Sequence, residues 1–566
     1  MQLTDRLGRS SPGQSILVAR DAALIQFILR SYNISLIMPI EIQKRAPVWD
    51  AVIVGSGATG GWAAYQLGKR GLNVLVLEAG PDEMDAPGQS PEFAMKALRM
   101  FDRVLRRRRV QSRHQAYWEL DPRLFVLDRE HPYETPPGKD FNWIRTRSVN
   151  GRLLTWGGVG IRTSDHEFEA PLQDGFGAPW PFGYKELHPH FDEVDDFFPV
   201  YGERDGLSSI PDGKYVGVAR LTDAERELQR SAQAAFGRPV VSGRGILIRP
   251  SARPNGEAAP PSPLREAMRK FGVSLRANAV ASHVLVGPDG KATGVAFVDR
   301  VTKRTEEVQA RVVVVCASAI ESARILLNSR SGHHPRGLGN SSGALGCYLM
   351  DHPGVAVIGF VPGRRDEVWS DGYGGPKNVM IPRFHNMTNR ADGAFLRGYG
   401  THGMLGRVSA KARDCDAGEV PFALVSHGEM LPRIENHISL HPDKQDPWGI
   451  PTLRIDCAYS DNERALQTHM AESLKEMIAS VRGRVTGTFD YPPGGFVHEM
   501  GTARMGADAR TSVLNGYAQC WDAPNVFVMD GAAWPSGAWQ NPTFTMMAIA
   551  GRASAHLVEE LRAGRI

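Results

Sequence analysis

The chain has 566 residues, a net charge of +4, 42% hydrophobic residues and 60 glycines. This composition is typical of a folded, loop-rich α/β protein with more than one structural lobe, and so small a net charge gives no reason to expect a nucleic-acid partner. The five cysteines lie too far apart for the usual spacing of a zinc site, an iron–sulfur cluster or a disulfide framework, so we expect no metal site.

Residues 1–47 form an N-terminal extension whose role the sequence leaves open. The stretch 15–40 is apolar in patches but contains Arg20, Asp21 and Arg30, which makes it too interrupted for a membrane span, and it lacks the layout of a signal peptide. We expect an amphipathic helix packed on the protein, with a helix on a membrane surface as the alternative. The expected location is the cytoplasm, or the periplasm if a partner subunit directs export.

The first clear element is WDAVIVGSGATGGWAAYQLGKRGLNVLVLEAGP at 49–81. A short apolar strand at 52–54 leads into glycines with G-x-G-x-x-G spacing, a helix at 62–69 and a second strand at 74–77. Glycines let the phosphates of a nucleotide approach the backbone at a helix N-terminus, and an acidic residue after the second strand accepts hydrogen bonds from the ribose. A tight turn without a ligand is the alternative. The order of elements predicts a dinucleotide site made by Gly55, Ser56, Gly57, Ala58, Thr59, Gly60, Glu78 and Ala79.

Residues 82–140 are rich in proline and charge, and we expect them to be irregular. They include RRRR at 106–109, a run short enough to be a solvated surface, although binding of an acidic partner subunit is the alternative. The following stretch SVNGRLLTWGGVGIRTSDHEF at 148–168 places glycines beside an arginine and a tryptophan. Such a turn either forms a hairpin or contacts the same nucleotide through Arg152, Trp156, Gly157 and Gly158.

Two further segments predict strands of the same sheet. GVSLRANAVASHVLVGPDGKATGVAFVD at 272–299 alternates in the manner of strands around a GPDG turn. ARVVVVCASAIESARILLNS at 310–329 contains a buried strand at 312–315 that runs into a helix, which is typical of a parallel sheet. From these segments we take Val280 and Ala317 as further contacts of the nucleotide.

The C-terminal part contains two loop-like runs. VHEMGTARMG at 497–506 surrounds His498 with small residues. NVFVMDGAAWPSGAWQNPTFTMMAIAGRAS begins with a strand at 526–529 that ends at Asp530, and Pro542 stands in the first turn of a helix that extends to about Leu561. Asn541 therefore lies at a helix N-terminus, where it either caps the helix or faces a bound ligand.

Together these segments resemble the glucose–methanol–choline (GMC) oxidoreductases, a family of flavoproteins. The resemblance rests on AVIVGSGATGGWAA, VVVVCASAIESARILLNS, LGCYLMDHPG at 345–354, and HEMGTARMG with the final segment, and it covers nearly all of the chain after about residue 48. It implies an α/β fold in which a Rossmann-like FAD-binding domain interleaves with an α+β substrate-binding domain.

The implied FAD-binding domain comprises residues 48–165, 266–345 and 495–566, and its last part carries the catalytic pair. The substrate-binding domain comprises residues 166–265, together with connections, and residues 346–494. The resemblance implies that the flavin ring lies where the two domains meet. The remaining expected contacts of FAD are Asp530, Gly531, Asn541 and Thr543.

The resemblance also assigns the catalytic pair. In the family a histidine in the motif H-x-x-G-T-x-x-M-G faces the flavin, and its partner is a histidine or asparagine before the final helix; here these are His498 and Asn541. A neutral imidazole that titrates near working pH can take the hydroxyl proton while the hydride goes to the flavin. The asparagine amide can stabilise the developing alkoxide.

The segments LTWGG, RTSDHEF and HEMGTARMG are similar to those of pyranose oxidases and of glucoside 3-dehydrogenase catalytic subunits. They imply oxidation of a secondary hydroxyl of a sugar or glycoside, at carbon 3, to a ketone. Trp534 and Trp539 either stack on the pyranose or pack under the flavin, and Gln540 is a candidate to bind hydroxyl groups. Thr155 stands where pyranose oxidases have the histidine that links FAD covalently, so we expect FAD to bind without a covalent link.

Other interpretations stay open. Another alcohol such as choline is the alternative substrate, and flavin-containing hydroxynitrile lyases share the implied fold. A flavin-binding subunit without activity and a nicotinamide-dependent enzyme are further alternatives. For the electron acceptor we favour a quinone or cytochrome over oxygen, and we allow for a small partner subunit, although no motif reports on either.

Overall fold

The computed structural model of the protein describes residues 48–82, 92–246, 261–364, 379–387, 395–407 and 418–566. The N-terminal extension, with the helix expected in 15–40, lies outside the described residues. Within the described ranges, no helix is long and apolar enough to cross a membrane.

A mainly parallel sheet surrounds the first apolar strand of the sequence. That strand pairs in parallel with the strand at 74–77 on one side and with the strand that contains the predicted 312–315 run on the other. In the described part of the chain this sheet has seven strands. They are β1 (Trp49–Val54), β2 (Val74–Leu77), β7 (Ser274–Arg276), β8 (Ala279–Val286), β9 (Ala292–Asp299), β10 (Thr305–Val315) and β18 (Val526–Val528).

Strand β10 takes part in two kinds of pairing. Its residues 312–315 pair in parallel with β1, and 313–315 pair in parallel with β18. Its residues 305–309 pair antiparallel with β9, which pairs antiparallel with β8. The valines at 312–315 are fully buried, as expected for parallel strands that are covered on both faces.

The glycine-rich turn packs helix α1 (Ala58–Lys69) closely onto this sheet. Gly60 has no side chain because a Cβ there would lie 2.0 Å from the carbonyl oxygen of Gly55. Trp62 and Leu67 of this helix belong to the same buried hydrophobic cluster as the strands, together with Phe544 of the C-terminal helix. The predicted strand–turn–helix unit is therefore present, and its helix begins four residues earlier than the apolar pattern indicates.

Within the described residues, a second sheet is antiparallel throughout, and its six strands come from the middle of the chain. It has a hydrophobic core of its own, to which Leu466 and Met470 of one long helix and Leu228 of another contribute. Its strands are β5 (Val241–Ser242), β11 (Gly354–Pro362), β12 (Val379–Ile381), β13 (Tyr399–Leu405), β14 (Glu419–Gly428) and β17 (Arg484–Tyr491).

The strands of the two large sheets fall inside the ranges expected for the two domains, and the domain boundaries themselves stay a prediction. The smaller sheets comprise β3 (Tyr133–Glu134), β4 (Val200–Tyr201), β6 (Gly245–Ile246), β15 (His437–Gln445) and β16 (Pro451–Asp456). The other helices are α2 (Glu92–Val104), α3 (Gln115–Glu119), α4 (Asp165–Phe168), α5 (Ala170–Asp174), α6 (Tyr184–Phe197), α7 (Asp223–Phe236), α8 (Pro263–Phe271), α9 (Ala319–Asn328), α10 (Asp461–Ser480) and α11 (Thr543–Arg562), and 3-10 turns span Gln111–Arg113, Pro122–Leu124, Gly151–Leu154 and Gly531–Ala533.

The prediction that residues 82–140 are irregular is wrong where α2 and α3 form. That prediction rests on proline and charge content, whereas the apolar residues of 92–104 recur at helical spacing; in α2 they face outwards and Asp102 is buried. The stretch at 148–168 contains a 3-10 turn instead of a hairpin.

Candidate active site

One cavity of about 410 Å³ connects the glycine-rich turn after β1 with His498 and Asn541. Its wall includes the residues that follow β1, β2 and β10, which is the edge where parallel sheets bind nucleotides. The predicted residues on its wall are Gly55, Ser56, Gly57, Ala58, Thr59, Glu78, Ala79, Arg152, Trp156, Gly157, Val280, Ala317, Asp530, Gly531, Thr543 and the catalytic pair.

Gly60 and Gly158 do not contribute to the cavity wall. Gly60 instead allows the close packing of α1 on the turn, as described above. Gly158 has φ +73°, and its carbonyl accepts a hydrogen bond of 2.8 Å from the backbone N–H of Ile246. Both glycines therefore act on the backbone around the cavity.

At one end of the cavity, α1 begins without a side-chain cap. Its N-cap residue is Gly57, and a Cβ added at this position would meet nothing within 4 Å. The space in front of the first backbone N–H groups is open, which suits an anionic group such as a phosphate.

Glu78 lies beside that space and is held in place by the turn. One carboxylate oxygen accepts hydrogen bonds from the backbone N–H of Ser56 at 3.0 Å and from its hydroxyl at 2.5 Å, and the other accepts from the N–H of Gly80 at 2.8 Å. Burial raises the pKa of Glu78. Oε2 already accepts two hydrogen bonds, whereas Oε1 keeps a lone pair for a further donor, such as a ribose hydroxyl.

Asp530 holds the loop after β18 against the loop after β10. One of its oxygens accepts from the backbone N–H of Ser318 at 2.9 Å and from the Ser322 hydroxyl at 2.5 Å, and the other accepts from the N–H of Ala532. Burial raises the pKa of this carboxyl to about 6. Ser318 has φ +81°, so this carboxyl stabilises an unusual backbone on the cavity wall.

His498 and Asn541 meet at the other end of the cavity. Nε2 of His498 lies 3.5 Å from the amide nitrogen of Asn541, and Nδ1 lies 3.1 Å from Nδ1 of His352. The amide oxygen of Asn541 is buried without a hydrogen-bond partner in the described part of the protein. A buried polar atom without a partner on a cavity wall is available to a ligand.

The imidazole of His498 is neutral in this site. Burial, followed by the charges of His352 and Arg152, holds its pKa well below the usual range. The sequence predicts an imidazole that titrates near working pH, and the structure differs because the ring is enclosed. Enclosure of the ring therefore favours its neutral form.

The motif that contains His498 pairs with the motif LGCYLMDHPG. The backbone groups of Met350 and Met500 exchange two hydrogen bonds of 2.9 Å. The buried carboxylate of Asp351 accepts from the N–H of His498 at 2.9 Å and from that of Phe496 at 3.2 Å.

A Cβ at Gly501, which has φ +82°, would lie 2.0 Å from the carbonyl oxygen of Tyr348. The small residues of the motif thus allow two chain segments to come into contact.

Three further histidines, which the sequence did not predict, lie beside His498 and Asn541. His352 and His427 stack with ring centroids 4.8 Å apart, and Nε2 of His427 lies 3.3 Å from Nδ1 of His402. Burial lowers the pKa of His352 to about 3 and that of His402 to about 4. His352 occurs in a segment that the resemblance already marks. No local signal marks His402 or His427, which lie on β13 and β14.

Arg152 connects the loop at 151–154 with the histidine motif. It pairs with the buried carboxylate of Glu499 at 2.5 Å and donates to the carbonyl oxygen of Val497 at 2.6 Å. Val497 has φ +59°, a conformation that is rare for a β-branched residue. The positive charge at this point of the wall is therefore balanced within the protein.

The cavity wall does not include Trp534, Trp539 or Gln540. The sequence predicts that the two tryptophans either stack on a pyranose or pack under the flavin, and it makes Gln540 a candidate to bind hydroxyl groups. Trp534 is fully buried and packs edge-on against Trp180. Trp539 is buried against the backbone of Gly400. The amide of Gln540 donates 2.9 Å to the carboxylate of Glu167. These residues support the loop that carries Asn541.

The described residues contain no group of three or more His, Cys, Asp or Glu side chains that could hold a metal ion. The contacts of His352, His402, His427 and His498 are hydrogen bonds and ring stacking. Thr155, the residue expected to leave FAD unlinked, lies on the cavity wall.

Comparison with known proteins identifies the family. Two sequence models of GMC oxidoreductase match residues 256–354 and 432–550, and a model of the NAD(P)-binding Rossmann-like domain matches residues 53–83. The matched regions contain the LGCYLMDHPG and HEMGTARMG motifs and the glycine-rich turn.

Relatives match over almost their full length. The chain is 29% identical over 555 residues to the 2-methyl-1,2-propanediol dehydrogenase of Mycolicibacterium austroafricanum, which covers 90% of this chain and 95% of that protein. It is 25% identical over 550 residues to a C-glycoside 3-oxidase of Microbacterium trichothecenolyticum, with coverage of 91% and 97%. The structure of pyridoxine 4-oxidase from Mesorbium loti has the same fold, with a TM-score of 0.59, 17% identity and coverage of 90% and 99%. The chain therefore contains the two domains of a GMC oxidoreductase, and this family consists of flavoproteins that act on the hydroxyl groups of alcohols and sugars.

Proposed function

We propose that the protein binds FAD without a covalent link and oxidises a secondary hydroxyl of a sugar or glycoside, at carbon 3, to a ketone. The observation that carries this proposal is the single cavity that has the nucleotide turn at one end and His498 with Asn541 at the other. A binding protein without activity would have no need of a neutral, buried histidine beside an unpartnered amide oxygen.

The residues of the cavity fit FAD. The uncapped N-terminus of α1 at Gly57 would hold the phosphates, and Glu78 would accept from the adenosine ribose. Asn541 and Thr543 at the start of α11 would face the ring. When bound, the flavin supplies the hydride acceptor. Thr155, which lies on the wall, has no nucleophilic nitrogen to form a link of the histidine type.

His498 would take the proton of the substrate hydroxyl at Nε2, the ring nitrogen on the side of Asn541. A basic Nε2 requires the proton to be on Nδ1, and Nδ1 of His352 lies 3.1 Å away to accept a hydrogen bond from it. His352 is therefore placed to select the tautomer of the base. The low pKa of His352 keeps its ring from carrying a positive charge beside His498.

Asn541 would orient the substrate oxygen. Its amide nitrogen lies on the side of His498, where it can donate to a developing alkoxide without competing for the proton. Its amide oxygen, buried and without a partner in the described residues, offers an acceptor to a second hydroxyl or to a ring N–H. Vicinal hydroxyl groups of a sugar can satisfy both atoms of one amide.

The choice of substrate rests on the resemblance and on the similarity to a C-glycoside 3-oxidase. A small diol is the second candidate, because the chain is also similar to a 2-methyl-1,2-propanediol dehydrogenase. For the electron acceptor we propose a quinone or cytochrome, with a small partner subunit as an optional component. The location would be the cytoplasm, or the periplasm if that subunit directs export.

The test is an anaerobic titration of the yellow protein with glycosides, free sugars, the diol, choline and simple alcohols, while the flavin absorbance is followed. We expect glycosides or sugars to bleach the flavin. Bleaching by choline or a simple alcohol and by no sugar would reject the proposed substrate class. Turnover of a cyanohydrin without bleaching would indicate a lyase, and recovery of colour in air as fast as with a quinone would reject the proposed acceptor.

A further inference from the structure

Helix α2 presents an apolar stripe to the outside of the protein. Ala97, Met100, Phe101 and Val104 are spaced three and four residues apart and all are exposed. The exposed fractions are 67% for Met100, 51% for Phe101 and 73% for Val104, and Leu105 continues the stripe with 54%. The opposite face of the helix, with the buried Asp102, packs on the protein. The described residues therefore leave a row of large apolar side chains uncovered.

An arginine-lined cavity of about 570 Å³ lies on one flank of this stripe. Arg99 and Arg103 come from α2 itself, and Arg106, Arg108 and Arg109 come from the turn that follows. This turn contains the RRRR run of the sequence. The wall also carries Trp118, which is 48% exposed.

The positive charge of this cavity is mostly uncompensated. Asp102, the acidic residue on its wall, is already engaged by Arg108 at 2.5 Å and by the hydroxyl of Tyr117 at 3.0 Å. Within the described part of the chain, no ion pair involves Arg99, Arg103 or Arg109. Residues 92–113 contain eight Lys or Arg and two acidic residues, an excess larger than the +4 of the whole chain.

We propose that α2 and this turn bind the surface of a membrane that contains anionic phospholipids. Met100, Phe101 and Val104 would enter the boundary between headgroups and acyl chains, and the arginine-lined cavity would hold a lipid phosphate. Exposed apolar residues on one face of a helix, rimmed by arginines, are the pattern of helices that lie in the membrane interface. One guanidinium group can donate two parallel hydrogen bonds to the oxygens of a phosphate. The negative surface of an anionic leaflet also attracts each arginine.

A bilayer fits these features better than an acidic protein. The stripe is convex, because it follows one exposed helix, and a deformable surface can enclose it without a matching groove. This binding goes beyond the oxidation proposed above and does not depend on it. Ser112 lines the arginine cavity and His114 lines the main cavity, so a membrane-bound enzyme would have its active site close to the lipid surface.

The experiment is co-sedimentation of the full-length, FAD-loaded protein with vesicles. Vesicles of phosphatidylcholine with phosphatidylglycerol are compared with vesicles of phosphatidylcholine alone, at low and at high salt. We expect binding to the anionic vesicles only, weakened by salt. The variant Met100→Ser/Phe101→Ser/Val104→Ser should lower the partition coefficient by about tenfold or more, and Arg103→Gln/Arg106→Gln/Arg109→Gln by roughly a hundredfold.

Matched controls replace three exposed apolar residues by serine, or three exposed arginines by glutamine, elsewhere on the protein. These are Val216→Ser/Val301→Ser/Phe489→Ser, and Arg230→Gln/Arg464→Gln/Arg510→Gln. All variants change exposed side chains, so retained flavin colour and an unchanged circular dichroism spectrum show that they are folded. No binding to anionic vesicles at low salt overturns the proposal, as does equal loss of binding in a control. Full binding by both α2 variants would assign the contact to another surface, and binding of an acidic protein with none to vesicles would assign it to a protein partner.

Discussion

His498 contacts both Asn541 and His352, and its ring stays neutral because it is enclosed. We expect His498→Ala to retain the flavin, since the nucleotide turn is untouched, and to lower the rate of flavin reduction by substrate about 10²–10⁴-fold, the span for the loss of a general base. Stopped-flow reduction under anaerobic conditions measures this rate.

The matched control for this prediction is His188→Ala, which removes an exposed histidine of α6. Its reduction rate should equal that of the unchanged protein. A normal reduction rate in the His498 variant would reject this histidine as the base, and a loss of flavin colour would show that its role is in cofactor binding.

At the scale of elements, Asp351 joins the segment 347–352 to the histidine motif. Burial raises the pKa of this carboxyl to about 7 from an ordinary value of 3.8. In the unfolded chain this carboxyl ionises at the lower pH, whereas in the folded protein it stays protonated until about pH 7. The part of the free energy of unfolding that depends on it is therefore fully present below about pH 4 and is lost as the pH rises to about 7. Asp351→Asn carries no charge and should not show this loss.

The measurement is the melting temperature of both proteins between pH 4 and pH 8. The stability of Asp351→Asn relative to the unchanged protein should rise by about 3 kcal/mol as the pH increases to about 7, and then level off. Asp351→Asn also replaces one acceptor oxygen by an NH2 group, and the stability lost with that hydrogen bond does not depend on pH. Only the change of stability with pH is therefore diagnostic. Asp508→Asn is the control, because Arg510 lowers the pKa of this exposed carboxylate. A difference that does not vary with pH would contradict the assignment.

At the scale of the whole molecule, one cavity lined by described residues extends from the parallel sheet to His498 and Asn541. We expect one FAD for each chain, released when the protein is precipitated with acid, because the wall carries Thr155 where a linking histidine would stand. The absorbance of the supernatant measures the released flavin. Colour that stays in the precipitate would show a covalent link through another residue.

The sequence by itself determined the parts that depend on local backbone chemistry. The glycines at 55, 57 and 60, the strands at 52–54, 74–77 and 312–315, and the helix after Asn541 lie where the pattern predicts them. A short apolar run, a turn that requires glycine at 55 and 60, and a helix start are each specified by neighbouring residues. Most residues predicted around the nucleotide therefore lie on one cavity wall.

The tertiary structure alone decided which distant side chains meet. His352 is 146 residues away from His498 in the sequence, and His427 lies on β14 of the antiparallel sheet, yet both rings come close to His498. The sequence allows Trp534 and Trp539 either to stack on a pyranose or to pack under the flavin, and packing against Trp180 and Gly400 buries them. Three arginines of the RRRR run line a cavity together with Arg99 and Arg103 of α2. Such contacts depend on how sheets and helices pack together, and no local pattern in the chain specifies that packing.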